Sequence, residues 1–159
     1  MQVQDSLFND RIEPIKYNES ATAGKVYNYL EYYYQDRKGK LFVLEPGLRG
    51  QKLSADKIQS GSGNNSTEDA LIRYIDAKRE IEQCEKTLEY LSLTEWGILK
   101  HRYMEYMKDV DVAKRMQLTT NDRESNVIIP NQTYWYRKRK EANHFAQMFA
   151  ITGTVLMVE

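Results

Sequence analysis

The sequence predicts a mainly α-helical bundle, and three observations predict it. Apolar residues recur at spacings of three and four in separate stretches near 26–34, 70–91 and 135–149. Ser66 and Thr67 stand directly before Glu68 and Asp69, the pattern of a helix cap followed by first-turn acids. The 159 residues are 41% hydrophobic and 29% charged, enough to bury a core and unlike a disordered polyampholyte. That length suits one compact domain, or one with a small appendage.

Residues 1–58 read as a small N-terminal unit. Val26, Leu30 and Tyr33/Tyr34 fall at helical spacing within about 23–38, and Gly39 marks a stop. The tyrosines at 27, 29, 32, 33 and 34 are expected to divide between packed and exposed positions. A stacking platform for bases, or a partner surface, is the alternative reading of that cluster. The segment LFVLEPGLRGQKLS then reads as an extended piece with a Pro-Gly turn. Residues 59–67, QSGSGNNST, form a flexible linker with no side chain able to anchor a core.

A helical domain is expected over 68–150. Ala70, Tyr74, Ala77, Ile81, Cys84, Leu88 and Leu91 form a heptad stripe. Two alanines and a cysteine make it a weak zipper, so packing on the chain's own helices is favoured over a homodimer through 70–91. Cys84 on that stripe reads as an inert buried thiol. Thr94, with Leu93 before it, is expected to cap a new helix. Trp96, Leu99, Tyr103 and Met107 line one face of that helix, and His101 faces away. A short helix follows, with Val110, Val112, Ala113 and Met116, ending near Leu118. Thr119–Gln132 is a polar loop apart from Val127–Ile129. Pro130 bars helix at Ile129 and favours one just after it. The last helix runs to about Ala150. Its inward stripe is read as Trp135, Ala142, Phe145/Ala146 and Phe149, with Arg139 lending its alkyl stem. The tail, 151–159, is β-prone and suits an added strand, a partner contact or disorder.

Several function classes are disfavoured by composition. Lys plus Arg and Asp plus Glu both total 23, so no bulk field draws the chain to nucleic acid or membrane. One cysteine and two histidines support neither a disulfide framework nor a metal site. GSGNN lacks the Lys-Ser/Thr ending of a phosphate loop, and neither a Gly-x-Ser-x-Gly elbow nor a His-Glu-x-x-His pair occurs. No catalytic residue and no cofactor is therefore expected. Val155–Val158 is too short to cross a bilayer, and MQVQDSLFND is unlike a signal peptide, so a cytoplasmic location is expected.

Charge becomes informative once it is divided. Residues 61–107 hold 6 Lys/Arg against 9 Asp/Glu, whereas 131–150 hold Arg137, Lys138, Arg139 and Lys140 against Glu141 alone. Cations interleaved with aromatic rings at a helix start suit a duplex groove, where Lys, Arg and the helix end meet phosphates and Arg or Tyr reaches base edges. On a helical projection Thr133, Tyr136, Arg137 and Lys140 face away from the core, with Tyr134 and Lys138 at the flanks. A helix-turn-helix also needs a small residue midway along its first helix. Ala113 occupies that place, and Leu118 would plug the turn.

From about Leu88 the chain resembles a sigma-factor region-4-type helix-turn-helix. More narrowly, it resembles the ArpU-like late-gene transcriptional regulators of phages and prophages of Gram-positive bacteria. The residues that carry the likeness are Leu-Ser-Leu-Thr-Glu, Leu-Lys-His-Arg-Tyr, Val-Ala-x-x-Met-x-Leu and Thr-Tyr-x-Tyr-Arg followed by Lys/Arg and Phe-Ala. The resemblance implies sequence-specific binding of double-stranded DNA and control of late phage genes in the bacterial host; RNA polymerase is the partner considered for the 70–91 heptads and the tyrosine-rich helix if they act as an interaction surface. The resemblance assigns recognition to Thr133, Tyr134, Tyr136, Arg137, Lys138 and Lys140, and structural roles to Ala113, Leu118 and Trp135. The family's turn spans a few residues; here 14 residues, Thr119–Gln132, are inserted. Two other readings fit the same residues: a small-terminase-type DNA-packaging subunit, and a helical protein-interaction module that does not bind DNA.

Overall fold

The computed structural model describes residues 17–50, 64–150 and 156–159, with side chains left out at 43–50 and 64–67. Among these residues, five α-helices and one short hairpin make a mainly helical fold. Helix α1 (Glu19–Asn28) starts where Asn18 Oδ1 accepts the Ala21 N–H. It runs through a π-helical turn, Tyr29–Tyr33, straight into α2 (Tyr34–Gly50). The stop expected at Gly39 and the extended piece after it, as far as Gly50, are therefore replaced by helix; the rest of that piece, 51–54, lies outside the described residues. Gly39 lies outside the positive-φ residues, so it makes no left-handed cap, and a lone helical glycine costs only about 1 kcal/mol.

Helix α3 (Asn64–Thr94) is the longest element among the described residues and already includes Ser66 and Thr67, so the cap expected there is replaced by helix. It does not end in a cap for the next helix as expected. Thr94 Oγ1 bonds back to the Tyr90 carbonyl at 3.0 Å, so Thr94 is the last residue of α3. The chain turns at Gly97 (φ 71), where a Cβ would lie 3.2 Å from Ser92 Cβ. Helix resumes at Ile98 and passes into a second π-helical turn, Lys100–Met104. Helix α4 (Asp109–Arg115), the hairpin β1 (Thr119–Asn121) and β2 (Ile128–Pro130), and α5 (Gln132–Phe149) complete the order. The polar loop expected over 119–132 is thus an antiparallel hairpin, pairing Thr119 with Pro130 and Asn121 with Ile128.

Two hydrophobic cores result. The larger joins Val26, Leu30 and Tyr34 to Ile81, Cys84, Leu88 and Leu91 of α3 and to Ala142, Phe145 and Phe149 of α5. Of the expected linker, 64–67 belong to α3 and 59–63 lie outside the described residues; the segments on either side share one core, and α1 packs directly on α5. Half of the heptad stripe is used here, and burial pushes the Cys84 thiol far above its ordinary pKa. Tyr29 and Tyr34 are buried while Tyr32 and Tyr33 are exposed, dividing the cluster as expected. The tail residue Leu156 is buried in the same core, and Val158 brackets the start of α1 by accepting from Asn18 N and donating to Thr22 Oγ1. The smaller core contains Ile98, Val112, Ala113 and Tyr134, ringed by Trp96, Met107, Met116 and Leu118.

Candidate nucleic-acid interface

The inserted hairpin does not drive α4 and α5 apart. Gln117 (φ 58) ends α4 in the left-handed region, and Leu118 N–H returns to the Ala113 carbonyl at 2.8 Å. The Leu118 carbonyl then accepts the Asn131 N–H at 2.9 Å. Leu118 and Asn131 are neighbours in space, so the two helices meet as a short turn would join them, with the hairpin extruded from the joint. Asn131 in turn caps α5, accepting the Tyr134 N–H at 2.9 Å. Ala113 is fully buried, and Leu118 leans on the same core. At the hairpin tip, the Ser125 N–H and hydroxyl both donate to the Asp122 carboxylate, which holds that carboxyl below its ordinary pKa. Arg123 is exposed at the apex between Asp122 and Glu124, so the tip carries no excess of positive charge.

What binds α4 to α5 is a polar knot. Asp109, at the first turn of α4, accepts from the Tyr134 hydroxyl at 2.6 Å and from Lys138 Nζ at 2.7 Å. Arg102 Nε stands 3.5 Å from its other oxygen. Burial pushes the Asp109 carboxyl up, but the Lys138 and Tyr134 hydrogen bonds outweigh it and hold the group below its usual range. Lys138 is only 4% exposed. Its ammonium lies over the rings of Tyr27, Trp135 and Tyr103 at 4.8, 5.4 and 5.7 Å, so three aromatic faces and one carboxylate replace its water. Desolvation lowers its pKa, and Asp109 offsets part of that.

This knot corrects the reading of α5. Tyr134 and Lys138, expected to meet DNA, point inward; Trp135 and Arg139, expected to point inward, are exposed, Trp135 at 47%. The first half of the helix is rotated by one residue, about 100°, from the stripe extrapolated out of Phe149 and Ala142. The physical reason is that Tyr134 in this half packs beside Val112 and Ala113 of α4, and Asp109 selects the side it faces. Lys140 is also engaged internally. Its ammonium pairs with Glu19 of α1 at 3.1 Å, and Asn143 Nδ2 donates to the Glu19 carbonyl at 3.1 Å. Arg137 lies over the Trp96 ring at 5.4 Å and keeps part of its surface in water. Thr133 and Tyr136 are exposed as expected, with Gln132 beside them. The outward side of the first half of α5 is therefore Gln132, Thr133, Trp135, Tyr136 and Arg139, with Arg137 half-buried beside them.

A second device sets where α5 sits. Glu141 is fully buried, and its two carboxylate oxygens accept the Ile98 and Leu99 N–H groups at 3.1 and 3.0 Å. An α5 side chain thus caps the helix after Gly97, the role expected of Thr94. Burial raises this carboxyl to about 7, against the lowering pull of those backbone donors. Glu95, bonded to His144 Nδ1, lies close enough to raise it further. The sequence signal for Glu141 is slight: a single acid next to Ala142, on the apolar side of a basic helix. Asp109 and Lys138 give none, because 29 residues separate them.

Among the described residues no group of three or more His, Cys, Asp or Glu side chains converges as a metal ion would need, and no helix is long and apolar enough to cross a membrane. An open cleft of about 600 Å³ lies apart from the α5 edge, lined by Lys25, Asn28, Tyr29, Tyr32, Tyr33 and Glu80 with Leu156. Comparison of the chain with protein-family models, with curated proteins and with solved structures returns no match.

Proposed function

We propose that the protein is a sequence-specific binder of double-stranded DNA that regulates transcription in a bacterial host, an ArpU-like regulator of phage or prophage late genes, working by recognition rather than catalysis. The observation that carries this reading is the joint at Leu118 and Asn131. It sets a short helix with a buried alanine across the start of a second helix whose free edge is polar, aromatic and cationic. That is the arrangement a duplex groove accepts. In this reading Thr133, Tyr136 and Arg137 keep the recognition role expected of them, and Arg139 and Gln132 join them. Tyr134 and Lys138 hold the helix in place, and Lys140 is tied to α1.

Because few cations remain free, affinity depends on two or three phosphate contacts per chain, not on bulk charge. Fluorescence anisotropy with a mixed-sequence duplex is expected to give a slope of roughly −2 to −3 in log affinity against log salt. Arg137→Ala combined with Arg139→Ala should remove most of that slope, while Lys140→Ala should leave it nearly unchanged. Undetectable binding at low salt, or a slope indifferent to the double change, overturns the reading. One observation favours a protein-interaction module instead: two of the four cations in the basic run are spent on internal ion pairs. That alternative is the one left standing if the duplex does not bind.

A further inference from the structure

The first half of α3 leaves three large apolar side chains uncovered by the described residues. Leu71, Ile72 and Ile75 are 41%, 49% and 46% exposed, whereas the heptad residues from Ile81 onward are buried. Glu68, Ile72, Ile75 and Arg79 succeed one another at spacings of four, three and four, so they share one face of the projecting segment. All four are exposed, and neither Glu68 nor Arg79 makes an ion pair among the described residues.

This stripe is complementary to itself in one orientation. Laid antiparallel on a copy with the two-fold axis between Arg73 and Tyr74, Ile72 meets Ile75 of the second copy. Glu68 then meets Arg79 of the second copy, and symmetry repeats both contacts. A parallel pairing would set Glu68 on Glu68 and Arg79 on Arg79. We infer that the projecting half of α3 is a homodimerisation surface, and that two chains pair there antiparallel through Ile72 and Ile75, closed at each end by Glu68 and Arg79. The seam is not the expected stripe over 70–91, because the far half of that stripe belongs to the chain's own core. The inference is independent of DNA binding and is tested without it.

Analytical ultracentrifugation of the full chain decides it. The mass should rise with concentration from 18.7 kDa to twice that value. Ile72→Glu is expected to raise the dissociation constant about 100-fold or more, because an apolar side chain is lost from each of two symmetric contacts. Glu68→Arg should raise it about 5-fold, and Glu68→Arg with Arg79→Glu should return it to the original value. These side chains are exposed in the single chain, so circular dichroism melts of the monomeric variants should match each other, which separates lost pairing from lost folding. A mass that stays at one chain overturns the inference. So does a dimer indifferent to Ile72→Glu, or one that the double charge exchange fails to restore.

Discussion

The two cores are held together by different physics. The larger is mostly apolar and draws on α1, α3 and α5, with Phe145 and Phe149 stacked at 5.1 Å and Tyr29 tilted against Phe149; its polar contacts, Tyr29 and Tyr34 hydroxyls donating to Glu80 and Glu85, are part-buried. The smaller has four buried members and needs a carboxylate, an ammonium and a phenol to complete it. Hydrophobic area is indifferent to the angle at which it is buried, whereas an ion pair at 2.7 Å is not. The bundle therefore supplies bulk stability, and the knot fixes the rotation of α5 about its own axis, which decides which side chains reach the outer edge.

Removing a part from each core sharpens the contrast. Phe145→Ala empties a fully buried site in the larger core and is expected to cost about 4 kcal/mol in urea melts, within the usual range for such truncations. A cost below about 1 kcal/mol would mean that this helix face is not the centre of the bundle. Asp109→Ala strands the Lys138 ammonium and should cost about 3 kcal/mol, at the low end for a buried pair because Asp109 still touches solvent. Replacing both partners with apolar residues, Asp109→Leu with Lys138→Met, should recover most of that loss. Failure to recover would place the stabilisation in the carboxylate's other bonds, those to Tyr134 and Arg102.

Glu141→Gln gives the smallest effect and the most specific one. It leaves one acceptor for two N–H donors and should cost roughly 1–2 kcal/mol. It should also change the dependence of stability on pH. With its carboxyl raised from 4.5 to about 7, the folded chain keeps a proton that the unfolded chain releases. This group's contribution is full below about 4.5 and is lost as pH rises through about 7. Melts at pH 5 and pH 8 should therefore differ more for the native chain than for the Gln variant. An unchanged difference would remove Glu141 from the balance.

Periodicity made the helices legible, and single residues fixed some of their ends. Pro130 placed the start of α5 within one or two residues of Gln132, because proline disfavours helix at the residue before it and Asn131 just after it supplies a cap; Pro46, without such a cap, sits inside α2. The burial of Ala113 and Leu118 was readable for a similar local reason: both are apolar and lie on the apolar side of a short segment with Val112 and Met116. The outward face of α5 was not readable at its N-terminal end. Tyr134 and Trp135 are both large and aromatic, and nothing local says which is buried. The choice fell to Asp109, which the chain brings in from 25 residues away. The hairpin was missed because three-residue strands in a polar setting carry too little alternation to stand out.

The chain's own pattern of apolar spacing determined that it folds as helices, where most of them lie, and that its positive charge gathers at one helix start. Local backbone preference and side-chain size act over a few residues, so they are written in order along the sequence. Which cations stay free, which are locked to Asp109 and Glu19, and how close α4 comes to α5 across the hairpin were decided only by the tertiary structure. Those outcomes depend on burial and on ion pairs between distant segments, and desolvation is set by what surrounds a group, not by what it is bonded to.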